Sequence, residues 1–284
     1  MVAKWPSGTK PLARELVGCQ EMSNNYEHLR VGYGDAVATV TLARPDARNA
    51  LNDELIDEIR RCMKELAEDD GVRVVVLTGE GDFFCAGADI GYMRDTAEFS
   101  YEENLEDAQN IAAMFGAVDE CPKPVVARVR GAAIGGGVGL VAAADVAVAE
   151  EGTVFAFTEV RLGISPATIA PFVLRKIGQS WTRALFLTGE RFDAARAQAV
   201  GLVHEVAVEG DLDSVVQEKV AGLLAGGPEA LAATKALLRE LRDADSEKAT
   251  EITARRIAEL RTGEEGQEGL GAFLEKREPA WRES

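Results

Sequence analysis

Three consecutive glycines, Gly135-Gly136-Gly137, separate the β-branched run KPVVARVRG from the small apolar segment VGLVAAA. The pattern dictates a strand, a bare loop and a helix start, since only glycine gives a backbone freedom at positive φ and lets another chain or a ligand approach closely. A helix start also leaves several N–H groups without internal acceptors. A tight packed turn and an anion or oxyanion site are both compatible with this. A dinucleotide fingerprint is not, because the GxGxxG spacing is wrong and no acidic residue follows the next strand at a suitable distance. A second loop of the same kind, GDFFCAGADI, follows the apolar run VRVVVLTG. Two strand-to-loop junctions that each present one N–H would stabilise a developing oxyanion if they converged.

The rest of the chain repeats this alternation. HLRVGYGDAVATVTLARP predicts two short strands around a tight turn at Gly32–Asp35. Asn52 or Asp53 caps a helix whose Leu55, Ile59, Met63 and Leu66 recur at helical spacing up to about Glu68. Residues 98–119 read as helix, and DVAVAEE as a further strand. After Gly163 strand signals fade, and residues 167–199, 211–241 and 245–276 read as mostly helical. The expected organisation is a poorly ordered tail over 1–25, an α/β core of strand–strand–helix units over 26–200 and a helical region over 201–284.

Composition narrows the partners. A formal net charge of -17 opposes long-range attraction to nucleic acid or anionic membrane, while a local cluster of basic groups can still hold a small anion. No stretch is long and apolar enough for a membrane span, and residues 1–25 lack the apolar core of a signal peptide, so a cytoplasmic protein is expected. Cys19, Cys62, Cys85 and Cys121 form no CxxC pair, and no metal site is expected. His28 and His204 sit outside any Ser–His–Asp constellation.

Taken together, FCAGADI, RGAAIGGGVGLVAAADVAVA and FAFTEVRLGISPA resemble the enoyl-CoA hydratase, or crotonase, family, from about Tyr26 to Trp281. The resemblance implies an α/β spiral of strand–strand–helix units with C-terminal helices that mediate trimer formation, as a homotrimer or a dimer of trimers. It implies acyl-CoA thioesters as ligands and no separate cofactor, coenzyme A being part of the substrate. Carried onto this chain, the oxyanion donors are the N–H groups of Ala86 and Gly136. The proton-transferring group is Glu159, whose neighbours Phe155, Phe157, Val160 and Leu162 predict a raised pKa. Arg44 and Ala47 in RPDARNAL resemble the nucleotide-side loop. Ala88, Asp89, Ile90, Gly139 and Pro166 are expected to line the substrate site, and Phe273 and Lys276 to reach a neighbouring subunit's ligand. Asp89 is expected to organise its loop, and residues 92–104, Met93 among them, to cover the acyl pocket.

One position departs from the best-known hydratases, which carry a second glutamate where this chain has Gly139. That glycine, with TEVRLG and the run Ser165-Pro166-Ala167-Thr168-Ile169, resembles the bacterial methylglutaconyl-CoA hydratase branch of leucine degradation. A substrate with its own distal carboxylate would be repelled by a second protein carboxylate, which gives the loss a physical reason. The expected function is hydration of an α,β-unsaturated acyl-CoA by a single glutamate. The alternatives are a double-bond isomerase using the same groups and a catalytically weak acyl-CoA- or RNA-binding member.

Overall fold

The computed structural model describes residues 21–23 and 25–282. In chain order the strands are β1 (Glu21–Ser23), β2 (Leu29–Gly34), β3 (Val37–Leu42), β4 (Val74–Gly79), β5 (Val125–Val129), β6 (Ala132–Ile134), β7 (Val146–Glu150), β8 (Val154–Ala156), β9 (Arg191–Asp193) and β10 (Glu205–Ala207). The helices are α1 (Asp53–Glu68), α2 (Ile90–Thr96), α3 (Tyr101–Glu120), α4 (Gly136–Ala143), α5 (Ala170–Thr188), α6 (Ala194–Ala199), α7 (Leu212–Leu224), α8 (Pro228–Glu240), α9 (Ser246–Thr262) and α10 (Glu264–Glu275).

The apolar runs form one seven-stranded sheet, ordered β1-β2-β3-β4-β5-β7-β10, parallel from β3 onward. β3, β4 and β5 are buried at every position because both faces of the sheet are covered there. Alternation sends Val75 and Leu77 to a core shared with Leu55, Ile59 and Met63 of α1, while Val74 and Val76 face Leu212, Val216 and Val220 of α7. A smaller sheet, β6-β8-β9, stands beside it. The units β5-β6-α4 and β7-β8-α5 each put one strand in each sheet, so the chain advances as the expected spiral.

Several boundaries move. The hairpin turns at Asp35 and Ala36, both at positive φ (49° and 60°), because Gly32, Tyr33 and Gly34 continue β2 in register with β3. Of the expected tail, residues 1–20 and 24 lie outside the described residues, and Glu21–Ser23 pairs antiparallel to β2. The region after Gly163 contains β9 and β10, which are too short for a periodic signal. Gly178, at φ 71°, interrupts α5. Residues 90–104 are α2 and the start of α3, stopped and restarted by a capping box between Ser100 and Glu103. The Tyr92 hydroxyl donates to Asp107, joining α2 to α3.

Glu58 has no counterpart in the sequence reading. It faces inward from α1 and accepts the N–H groups of Glu27 (2.7 Å) and His28 (2.8 Å), fixing the entry to β2. Charge-assisted bonds of this kind offset the burial of the carboxylate.

Candidate active site

Successive turns of the spiral place equivalent junctions side by side. The Cys85 N–H donates to Ala132 O (3.1 Å) and the Ile134 N–H to Cys85 O (3.0 Å), so the 85–88 loop runs parallel to β6. On its other side the Leu51 N–H donates to Gly87 O (2.7 Å) and the Asp89 N–H to Leu51 O (2.8 Å). β8 continues the column next to β6 and leads into the turn that carries Glu159. Segments distant in sequence thus deliver their loops to one place.

The glycines are required by this proximity. A Cβ on Gly137 would sit 2.4 Å from Cys85 O, and one on Gly87 3.0 Å from Ile134 O. Gly135 holds φ 51° and ψ -116°, conformations that a side chain disfavours, and a Cβ there would lie 3.0 Å from Glu159 Oε1. The carboxylate therefore lies directly over the glycine that opens α4.

The two donors differ from the expectation in one respect. The Ala86 N–H is already donated to Arg48 O at 3.0 Å, so it has no free hydrogen for a substrate. Ala88, exposed and two residues on, has an N–H with no acceptor among the described residues. The Gly136 N–H, at the first position of α4, is likewise unengaged. Cys85 bridges Ala133, and Ala88 and Gly136 lie three residues beyond these partners on parallel segments. The correction is physical: the Ala86 amide is consumed in tying the loop to Arg48, and Gly87, at φ 94°, breaks the strand alternation between Ala86 and Ala88.

Glu159 heads a 3-10 turn, Glu159–Leu162. Its Oε2 is buried without a hydrogen-bond partner among the described residues. Burial holds its carboxyl above the usual range, opposed by a hydrogen bond from its own backbone N–H. The apolar surroundings read from the sequence have the expected effect.

Gly139 does not line an open surface. It is buried, and a Cβ there would meet Ile169 Cγ2 at 2.4 Å and the Phe115 ring at 2.7 Å. Those two side chains fill the space that a second glutamate would need. Ile169 stands out in the sequence only as the end of the run Ser165–Ile169, and Phe115 not at all; Phe115 belongs to the buried stripe of α3 together with Met114 and Val118.

Arg44 and Asp89 act on each other. Arg44 Nη2 pairs with Asp89 Oδ2 at 3.1 Å and its Nη1 donates to Ala50 O. Asp89 in turn caps α2 through the Gly91 N–H (2.7 Å) and organises its loop as expected. This pairing draws the Arg44 guanidinium into the loop. Ala47 lies half-buried in the 3-10 turn Pro45–Ala47, Ile90 is 71% exposed at the start of α2, and Pro166 is buried. Phe273 is 81% exposed near the end of α10 and Lys276 is its C-cap; α10 packs on α9 and α8 rather than on the column of loops.

Asn49 is the organising residue that the sequence reading passed over. Fully buried and at φ 55°, it accepts the Arg44 N–H (2.9 Å) and donates to Glu80 O (2.9 Å) and Phe83 O (2.7 Å). The signal is the asparagine of RNAL, a residue type that tolerates left-handed backbone. Asn49→Ala orphans three buried groups and strains the backbone, and we expect a loss of about 2–4 kcal/mol. Faster hydrogen exchange at the Ala86 amide, which depends on Arg48, checks the loosening of the donor loop.

Among the described residues the cysteine and histidine nearest the column are not competing nucleophiles. The Cys85 thiol is buried, which pushes it up to about 12. His204 Nδ1 accepts the Ala147 N–H at 2.9 Å, and burial lowers its pKa, so it stays neutral between β7 and β10. Among the described residues no helix is long and apolar enough to cross a membrane.

The model of the enoyl-CoA hydratase/isomerase family matches residues 32–284. The chain belongs to the enoyl-CoA hydratase/isomerase family. A putative enoyl-CoA hydratase of Thermus thermophilus is 35% identical over 243 residues, covering 86% of this chain and 96% of the relative. The 2,3-dehydroadipyl-CoA hydratase of Escherichia coli is 34% identical over 248 residues, with 87% and 95% covered. The crystal structure of an enoyl-CoA hydratase from Shewanella pealeana superposes with a TM-score of 0.88 at 38% identity, covering 90% of this chain and 97% of that one. In this member of the family the spiral and the C-terminal helices are both present, and the family's ligands are acyl-CoA thioesters.

Proposed function

We propose that the protein adds water to the double bond of an α,β-unsaturated acyl-CoA, with Glu159 as the proton-transferring group and the N–H groups of Ala88 and Gly136 as the oxyanion donors. The observation that carries this is the Glu159 carboxylate, half-buried over Gly135 with an unpartnered oxygen, beside two unengaged amides. Addition of water to the β-carbon builds negative charge on the thioester oxygen, and preorganised amides stabilise it without reorganising at the moment of reaction. Glu159 deprotonates the water and returns a proton to the α-carbon. A carboxyl with a raised pKa suits both steps.

The preferred acyl group is one with its own distal carboxylate, 3-methylglutaconyl-CoA. Support comes from the apolar filling at Gly139, which removes a competing charge from the acyl side. A family relative is named for a dehydroadipyl thioester, itself a dicarboxylic acyl group. The same reading places coenzyme A along Arg44, Ala47 and Ile90, and the acyl group by Ala88, Asp89 and Pro166. Phe273 and Lys276 serve the site of a neighbouring copy in a homotrimer or dimer of trimers. The exposed α10 face of Leu270, Phe273 and Leu274 supports that association. A cytoplasmic location belongs to the same proposal.

The enclosed Gly139 also favours a second reading, since a lone carboxylate can move a proton between two carbons and act as a double-bond isomerase. Mass analysis of the product separates the two: hydration adds one water and isomerisation leaves the mass unchanged. An added water with 3-methylglutaconyl-CoA is the expected result. An unchanged mass with a moved double bond would replace hydration by isomerisation.

A further inference from the structure

A cavity of about 390 Å³ opens where α4 ends, away from the Gly136 end that presents the free amide. Ala142, Ala143, Phe172 and Leu238 give it an apolar floor. Five cations stand around that floor, two from α5, two from α8 and Arg242 just beyond it, against only two carboxylates, Asp119 and Asp145. In a chain of net charge -17 this local balance is reversed.

Internal partners account for part of the charge. Arg175 pairs with Asp119 at 2.8 Å, and Lys235 with Asp145 at 2.5 Å. Lys176 Nζ donates to Ala144 O at 2.5 Å, beyond the last residue of α4, and Arg239 Nη1 to Glu120 O at 3.2 Å, at the end of α3. Each helix C-terminus carries about half a negative charge. Arg242 approaches only Asp119, at 3.9 Å, and that carboxylate is already held by Arg175. An excess of about two positive charges therefore faces the cavity. Burial lowers the Lys176 ammonium to about 8, with Asp145 and Asp119 opposing the shift.

We propose that this cavity is an anion-binding site distinct from the Glu159 centre, taking a small carboxylate or phosphate whose apolar body lies on Phe172 and Leu238. Guanidinium forks donate to such oxyanions in bidentate geometry, and the ammonium of Lys235 adds a point charge. The two sites stand at opposite ends of α4, about 12 Å apart along its axis. The Phe172 and Phe115 rings, 5.8 Å between centroids, lie between them.

The test is calorimetric titration of the full-length protein with inorganic phosphate, and separately with glutarate, at fixed ionic strength. The expected result is one saturable site per chain for at least one of the two anions. Affinity falls at least tenfold in the Arg239→Ala/Arg242→Ala double variant and in Leu238→Glu. The latter puts a negative charge at a position that is 66% exposed, so folding is preserved. Glu159→Gln binds like the wild type. No saturable binding of either anion, or unchanged affinity in both cavity variants, overturns the proposal. A tighter binding in Glu159→Gln would also overturn it, since removing a repelling carboxylate helps only an anion that sits in the catalytic centre.

Discussion

Glu159→Gln lowers the turnover of an enoyl-CoA by about 10²–10⁴-fold, the usual worth of a positioned general acid–base, while raising stability at neutral pH. The two effects share a cause. Burial raises the folded-state pKa of Glu159 above its unfolded value, so the native state prefers the protonated carboxyl. At pH above the raised pKa the ionised carboxylate carries the full desolvation penalty. As pH falls through the raised value towards the ordinary glutamate range, that penalty disappears. Glutamine removes the charge without changing the shape. Its stabilising effect is therefore largest at neutral pH and vanishes below the unfolded pKa, which thermal midpoints across pH 4 to 8 measure at roughly equal ionic strength. The wild-type rate falls on acidification with an apparent pKa above that of a solvated glutamate. A variant with undiminished turnover would remove Glu159 from the mechanism.

Gly139→Glu is the second large effect, and it does not create a better hydratase. Its Cβ alone would enter the space of Ile169 and Phe115, an overpacking that costs about 1–3 kcal/mol. The carboxylate beyond it would be buried among apolar groups without a partner, at several kcal/mol more. Replacing a helical glycine returns only about 1 kcal/mol. The net loss shows as a fall in thermal midpoint of about 5 °C or more, with no gain in turnover. Adding Ile169→Ala and Phe115→Leu makes room for the side chain, and part of the lost stability returns. A stable single variant with raised turnover would mean that the pocket wall is not where the packing puts it.

Local chemistry made much of this site legible in advance. The glycine run announces a helix start pressed against another backbone segment, and the apolar flanks of Glu159 announce its raised pKa; both follow from residues adjacent in sequence. The choice between Ala86 and Ala88 does not, because it depends on which amide faces Arg48, a partner far along the chain. Phe115 and Ile169 were hidden for the same reason: each reads as an ordinary core residue until α3 and the start of α5 are folded against α4. The turn at Asp35–Ala36 was misplaced because glycines are turn formers, yet register with β3 kept Gly32 and Gly34 extended.

The order of strands in the main sheet also sets a timetable for synthesis. β7 ends at Glu150, but its outer edge is covered only by β10, which begins at Glu205. At ribosomal rates of about 5–20 residues per second, that edge stays unpaired for roughly 3–10 seconds after it emerges. During this interval the nascent chain presents a bare parallel edge to neighbouring nascent chains on the same message. Slowing elongation between these strands prolongs the exposure, and crowded translation increases its consequences.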